Sequence, residues 1–524
     1  MKGVISAGQQ LTAAAGMEML ERGGNAFDAA VAASFASFVC ESPLTSMGGG
    51  GFFMAHSRGG ETLLYDFFPD VPGRGRAASR ASLDFHPIEI DFTSAVQQFH
   101  IGRGAAAVPG CMAGFARVHR HHCALPLTTL LEPAIRYARD GFVLNAQQAY
   151  FHRTIIPILT LTEEGRAIYA PRGTMLGEGE RVFMREMADT MEYLAVNGLE
   201  RFYDGEIAEK IVKGFGEGGL ITREDLKSYE TKVRTPLEVS YRGRRIFLNP
   251  PPSSSGGALV AFSLKLLEQY DVGGMGHNSA EYLKLLYEVM RVTDLARTEA
   301  FDERVYEEGI AGKFLADRSM EEYRRMLAEF ARELGLCDRP ATGNTTHISV
   351  ADEEGNAASV TTSNGEGCGH MIPGMGVMLN NMLGEDDINP HGFHALPAGT
   401  RMSSMMAPTI VMRGDVPEVV LGTGGSSRIR NAIVQVIVNL LDHGLSVADA
   451  VNEPRVHWDR AVFQAERGVE ATSLDLIERT GVPVNRWHDR NMYFGGVHTV
   501  VMAGERPTGA GDSRRGGVCL ASQF

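Results

Sequence analysis

Around residue 340 the hydrophobic period of the chain changes. Thr346-His347-Ile348-Ser349-Val350 alternates with a period of two, Asp352-Glu353-Glu354-Gly355-Asn356 carries turn residues, and 357–362 reads as the returning strand. Such a hairpin is not stable alone in water, so its apolar face must be covered. Further strands are expected at 376–379, 409–412, 418–421, 462–465 and 497–502. Between them, Ile429, Ile433, Val436, Ile437, Leu440 and Leu441 have the spacing of a buried helix over 427–441, and Ser446 is placed to cap another. Antiparallel hairpins with helices on their faces predict a layered α/β (α+β) sandwich.

Upstream, the pattern is mostly helical. A helix is expected at 11–22, ended by Gly23-Gly24. A second, 26–40, is rich in small residues that permit close packing. Gly48-Gly49-Gly50-Gly51 suits close backbone approach to a strand or ligand, and 53–56 and 62–66 look like strands. The stretch 125–334 reads as largely helical, with Leu127, Leu130, Leu131, Ala134 and Ile135 at helical spacing and a cap at Thr222 with Asp225. At roughly 150 residues per domain, 524 residues suggest about three domains, although a layered domain can be larger.

Composition excludes several classes. A net charge of −14 argues against nucleic-acid binding, which needs clustered Lys and Arg. No uninterrupted apolar run approaches the length of a membrane span, and the apolar stretch at the N-terminus is too short and polar for a signal peptide. Six scattered cysteines without a C-x-x-C read as free thiols in a reducing compartment, so a cytoplasmic protein is expected. Gly214-Phe215-Gly216-Glu217-Gly218-Gly219 matches G-x-G-x-x-G but follows a helical pattern, so a helix terminus is expected there. His119-Arg120-His121-His122-Cys123 fits no zinc spacing and reads as a solvated helix end. His391 and His394, in a Pro/Gly loop, read as structural or exposed. No cofactor and no metal are expected.

Two segments carry chemistry. Asn344-Thr345-Thr346-His347 is locally a polar entry to a strand. A Thr freed at a chain terminus, however, holds both a hydroxyl nucleophile and an α-amine able to serve as its base. Gly422-Thr423-Gly424-Gly425-Ser426-Ser427 joins a strand to a helix. It reads as a tight turn, and consecutive N–H groups at a helix start also suit an oxyanion.

These segments resemble the γ-glutamyltransferases (γ-glutamyltranspeptidases), N-terminal-nucleophile (Ntn) hydrolases. The likeness spans nearly the whole chain: Gly23-Gly24-Asn25-Ala26-Phe27-Asp28-Ala29-Ala30, the Gly48–Phe52 run, Val108-Pro109-Gly110, Pro250-Pro251-Pro252-Ser253-Ser254-Ser255-Gly256-Gly257, Thr345-Thr346-His347, Gly355-Asn356-Ala357, Leu379-Asn380-Asn381, Pro408-Thr409-Ile410-Val411 and Gly424-Gly425-Ser426. The resemblance implies a four-layer αββα sandwich and a precursor cut between Asn344 and Thr345. The products would be a large subunit, 1–344, and a small subunit, 345–524, that stay associated. It implies Thr345 as nucleophile, Ser363 as the hydroxyl supporting its amine, and Gly424 and Gly425 as the oxyanion hole. The substrate would be a γ-glutamyl amide such as glutathione, and the acyl group would pass to water or an amino acceptor. No nucleic acid or membrane partner is implied; a homodimer is compatible with the resemblance.

The departures concern recognition. The family carries an Arg in a G-R-E-x-A-P stretch that binds the substrate α-carboxylate; here Phe68 takes its place in Asp66-Phe67-Phe68-Pro69-Asp70-Val71-Pro72. Arg401 and Arg428, in segments flanking the site, are candidate replacements, and Arg103 is a poorer one. The family's paired Ser matches Ser404 and Met405 counting back from Pro408, or Ser403 and Ser404 counting forward from Arg401. The family's Asn two places beyond Ser363 is Gly365, and the acidic amine-binding position is Glu385 or Asp386. An amidase for another acyl group, such as poly-γ-glutamate or an acylated β-lactam, and an inactive binding homologue are the alternatives.

Overall fold

The computed structural model describes residues 2–42, 44–76, 82–91, 96–252, 254–330, 345–503 and 506–522; Asn344, Ser253 and Cys337 lie outside them. Two antiparallel sheets form the centre. The seven-stranded sheet runs Val518–Ala521, Gly3–Ala7, Thr346–Asp352, Ala357–Ser363, Gly50–His56, Thr62–Asp66, Lys232–Arg234. The six-stranded sheet runs Thr508–Ala510, His498–Val501, Val416–Gly422, Thr409–Arg413, Arg244–Leu248, Leu237–Tyr241.

The period-two pattern of the central hairpin explains how the layers stack. Ile348, Val350, Ala358 and Val360 pack into one core with Ala29, Ala32 and Phe35 from the helix Ala26–Cys40. The alternate residues face the second sheet, where Ser349 Oγ donates to His498 O at 3.0 Å and Ser359 Oγ donates to Leu421 O at 3.0 Å. On the far side, Ile410 and Val420 share a second core with Leu259, Val289, Ile433 and Val436, which belong to the helices Gly256–Leu267, Ala280–Ala296 and Arg428–Leu441. The result is a four-layer αββα sandwich.

The helix Ala26–Cys40 is buried along its whole length. Asn25 caps it by accepting from the N–H groups of Phe27 and Asp28, while Asp28 accepts from Asn25 N at 2.8 Å. The glycine run after it serves the neighbouring strand: a Cβ on Gly51 would lie 2.2 Å from Thr361 O, and one on Gly49 would lie 2.3 Å from Ser363 O.

Several expectations change. The stretch 125–334 is not helical throughout: Leu237–Tyr241 and Arg244–Leu248 form a hairpin at the edge of the second sheet, and Lys232–Arg234 closes the first. Arg242 and Gly243, at φ 48° and 72°, make the two-residue turn that joins that hairpin. The strand 376–379 shortens to Val377–Met378. The helix Cys111–His122 ends as expected but not simply in solvent, because the Tyr65 hydroxyl bonds His121 Nδ1 at 2.9 Å and His122 Nε2 at 2.7 Å. His394 Nε2 meets Gly104 O at 2.9 Å, a structural contact. Gly214 and Gly216 end the helix Gly205–Gly216, and Thr222 and Asp225 form a reciprocal capping box.

Candidate active site

Thr345 immediately precedes the strand Thr346–Asp352 and is buried. Thr346 pairs with Thr362, so one step further Thr345 stands opposite Ser363. Strand alternation puts both on the face shared by His347, Ser349, Ser359 and Thr361, between the two sheets. Arg515 Nη1 donates to Thr345 O at 2.8 Å. A Cβ on Gly424 would lie 1.8 Å from that same oxygen, so only glycine passes there. Ser363 Oγ accepts from Gly365 N at 2.9 Å.

The flanking residues are locked. Thr346 Oγ1 and Thr12 Oγ1 both donate to the Glu41 carboxylate, at 2.5 and 2.7 Å. Burial pushes Glu41 above the usual carboxylate range, against the pull of those hydroxyls and of Arg515. Burial, helped by the like charge of Arg428, lowers Arg515 to about 10. Ser349 Oγ spends its proton on His498 O, so it accepts from His347 Nε2, at 3.0 Å. His347 Nδ1 is then the acceptor, and Thr361 Oγ1 donates to it at 2.8 Å. Burial holds His347 well below the ordinary histidine value, which keeps this neutral tautomer.

The strand Val416–Gly422 passes through the 423–427 turn into the helix Arg428–Leu441. Thr423 Oγ1 donates to Gly424 O at 2.7 Å and accepts from Gly496 N at 2.8 Å. Gly425 has φ 130° and Ser426 φ 50°. The Ser426 hydroxyl donates to Asp387 Oδ2, which also accepts from Ser427 N at 3.3 Å. Among the described residues, the N–H groups of Gly424, Gly425 and Ser426 donate to no acceptor. Three open N–H groups beside Thr345 can receive an oxyanion. Sequence reasoning missed Ser426, whose positive φ is unusual for a residue with a side chain and leaves no compositional trace.

The recognition residues divide. Glu385 is buried beside Gly365, where a Cβ would meet Glu385 Oε1 at 2.3 Å and Asn381 Oδ1 at 2.0 Å. Burial, then Glu366 and Asp387, push its carboxyl well up, with Arg428 opposing. Asp386 is exposed next to it. Arg428 is buried, donates from Nε to Tyr493 O at 2.9 Å and lies 4.6 Å over the Tyr493 ring. Ser403 and Ser404 anchor the segment after Pro252: Ser403 Oγ is 3.2 Å from Ser255 Oγ, Ser404 O accepts from Ser255 N at 2.9 Å, and Ser404 Oγ accepts from Met406 N at 3.1 Å.

Phe68 is buried in the second core and stacks on Phe52 at 5.7 Å and 9°. Arg401 does not stand in for a substrate cation. Its Nε donates to Asp70 Oδ1 at 2.5 Å, its Nη1 to Asp66 O and Oδ1 at 2.8 Å, and its Nη2 to Glu230 O at 2.8 Å. The two aspartates and the Tyr229 ring beneath it, 5.0 Å away, use the whole guanidinium. Arg103 lies 3.6 Å from Asp84 on the surface. Among the described residues, no group of three or more His, Cys, Asp and Glu could hold a metal.

Residues 12–522 match the family model described as gamma-glutamyltranspeptidase. The glutathione hydrolase proenzyme of Escherichia coli (strain K12) is 32% identical over 515 residues, covering 92% of this chain and 86% of that protein. The acylase ACY 1 proenzyme of Pseudomonas sp. (strain SE83) is 31% identical over 485 residues, covering 91% and 86%. The crystal structure of cephalosporin acylase from Bacillus halodurans covers 100% of this chain and 96% of its own at TM-score 0.84 and 24% identity, a likeness of fold.

Proposed function

The chain belongs to the gamma-glutamyltranspeptidase family of Ntn hydrolases, and on that footing we propose that it cuts itself before Thr345 and then hydrolyses or transfers γ-glutamyl amides through a Thr345 acyl-enzyme. The observation that carries the proposal is the corner itself. Thr345 heads an inner-face strand, Ser363 stands across from it, and three open N–H groups follow the strand that ends at Gly422.

In the precursor the Thr345 hydroxyl attacks the carbonyl of Asn344, and the ester formed is hydrolysed. The freed α-amine, whose ordinary pKa is near ~8, then serves as base for the same hydroxyl against substrate. The N–H groups of Gly424, Gly425 and Ser426 take the negative oxygen. The large subunit is 1–344 and the small subunit 345–524. Glu385 faces the substrate amine, and Ser403 and Ser404 hold the wall formed by 254–257. The reaction is placed in the cytoplasm, with small-molecule amides as substrates.

A second reading, an acylase for a group other than free γ-glutamyl, is favoured by the Phe68 slot. It is filled by stacked rings and offers a substrate carboxylate no cation. A denaturing gel with an anilide screen tests both. Wild type should give two pieces and Thr345→Ala one piece without activity. A wild type that stays intact while cleaving amides would refute the mechanism. Preference for γ-glutamyl over other acyl anilides separates the two readings.

A further inference from the structure

A cavity of about 190 Å³ opens beside the candidate active site, with Asp387 and Ser427 on its near wall and Arg430, His457 and Arg460 among its other linings. Ser427 follows Gly424 by three residues, so this wall lies within about 11 Å of the glycine that touches Thr345. Asp387, through the Ser426 hydroxyl, ties the wall to the turn bearing the open N–H groups.

The cavity has unused donors. The Arg430 side chain is 2% exposed and donates from Nη2 to Asp294 Oδ2 at 2.7 Å. Its Nε and Nη1 are buried and, among the described residues, have no partner. Leaving charged N–H groups buried and unpaired is costly to a fold. Arg430 also lies in the first turn of the helix Arg428–Leu441, where the helix dipole disfavours a cation. A bound anion offsets both costs.

The wall carboxylates are mostly spent. Asp294 is shared by Arg430 and Arg460, the latter at 3.5 Å. Asp459 accepts from the N–H groups of Ala461 and Val462 and from Gln464 Nε2. Asp387 holds Ser426 and Ser427. Asp386 is exposed at the rim, where solvent screens it. His457 Nδ1 accepts from Asn431 Nδ2 at 2.8 Å, and burial together with Arg428, Arg430 and Arg460 keeps its ring neutral, so Nε2 carries a proton. Arg460, with a side chain 40% exposed and φ 76°, stands where a ligand enters.

We propose that this cavity is a carboxylate subsite, built on Arg430 and completed at its mouth by Arg460, that holds a carboxylate borne by a substrate of the Thr345 centre. A guanidinium matches a carboxylate in shape and charge. The space suits one small anionic group rather than a whole ligand. The inference rests on the amidase reading above and names where that enzyme anchors its substrate. The carboxylate belongs to the acyl donor or to an amino-acid acceptor, and the assay distinguishes them.

Processed wild type, Arg430→Gln and Arg460→Ala are compared in two arms. The donor arm sets γ-glutamyl anilide against 4-aminobutyryl anilide, which lacks the α-carboxylate, with water as acceptor. The acceptor arm sets glycylglycine against ethylamine with one donor. In one arm, kcat/KM for the carboxylate-bearing partner relative to its analogue should fall at least tenfold in Arg430→Gln and about threefold in Arg460→Ala. That arm identifies the source. Ratios unchanged in both arms overturn the subsite and leave the amidase reading standing. If Arg430→Gln does not fold, Arg460→Ala, altered at a half-exposed side chain, decides by the same ratio. If wild type is neither processed nor active, the amidase reading has failed, and calorimetry with glutarate judges the cavity. Binding that is lost in Arg430→Gln supports the anion site; equal binding, or none to wild type, overturns it.

Discussion

The corner around Thr345 and the corner around Phe68 and Arg401 are built on opposite principles. At Arg401 every guanidinium nitrogen has an acceptor, the buried Asp66 and the part-buried Asp70 balance the charge, and aromatic rings fill the remaining space. At Thr345 the backbone is squeezed to glycine clearance, and three consecutive N–H groups are left open. A conspicuous buried cation is architecture in the first corner, while in the second a glycine turn packs against Thr345 and Arg515 donates to its carbonyl. Incomplete satisfaction marks the site more reliably than charge does.

If that contrast is right, substitutions in the two corners should fail in different assays. Gly424→Ala should have the largest effect: its Cβ would overlap Thr345 O. Loss of processing and of at least ~10³-fold in kcat/KM, about 4 kcal/mol, is expected. A normally active Gly424→Ala would dissolve the distinction. Arg401→Met should do the reverse. Removing it takes a cationic partner from Asp66, which is fully buried, and about 3 kcal/mol or more of stability should be lost in denaturant titration. Processed Arg401→Met should keep its kcat within about twofold.

Acid should attack the Thr345 side. Burial lowers His498 to about 4, below its ordinary value near ~6.5. Between those values the unfolded chain binds more protons, so stability falls as pH drops, by up to about 3 kcal/mol from this group. Tm measured from pH 7 to 4 should decline, and His498→Gln should flatten the decline; an unchanged slope counts against the assignment. The smallest effect is expected from Ser363→Ala. It should lower kcat about tenfold, roughly 1.4 kcal/mol, with KM within about twofold, because in the proposed mechanism the hydroxyl supports the nucleophile's amine and not substrate binding. A change confined to KM would move Ser363 to the recognition side.

What could be read from residues alone follows from the range of the interactions involved. The helix Ala26–Cys40 and the strand Thr62–Asp66 carry local signals, and both occur with the expected bounds. The hairpin Thr346–Asp352/Ala357–Ser363 also shows locally, since alternation and a turn suffice. Gly3–Ala7 escaped because a central strand buried on both faces has no alternation. Leu237–Tyr241 and Arg244–Leu248 escaped because an apolar-rich stretch beside helices reads as helix unless the Arg242-Gly243 turn is noticed. At the candidate site, Thr345 and Ser363 could be aligned by register. The neutralisation of Arg401 by Asp66, 335 positions away in sequence, could not, nor could the left-handed backbone of Ser426.

The strand order has one more consequence. In the first sheet, Gly3–Ala7 lies between Val518–Ala521 and Thr346–Asp352, hydrogen-bonded to both. A chain opened before Thr345 would therefore have a strand of one fragment woven between two strands of the other. Covalent continuity across that point contributes little to holding the pieces together, and pulling them apart means dismantling the central sheet. The gene should accordingly tolerate being split there: two separate reading frames, one ending at codon 344 and the other starting at codon 345, should assemble when expressed in the same cell, whereas either fragment expressed alone should find no fold to join.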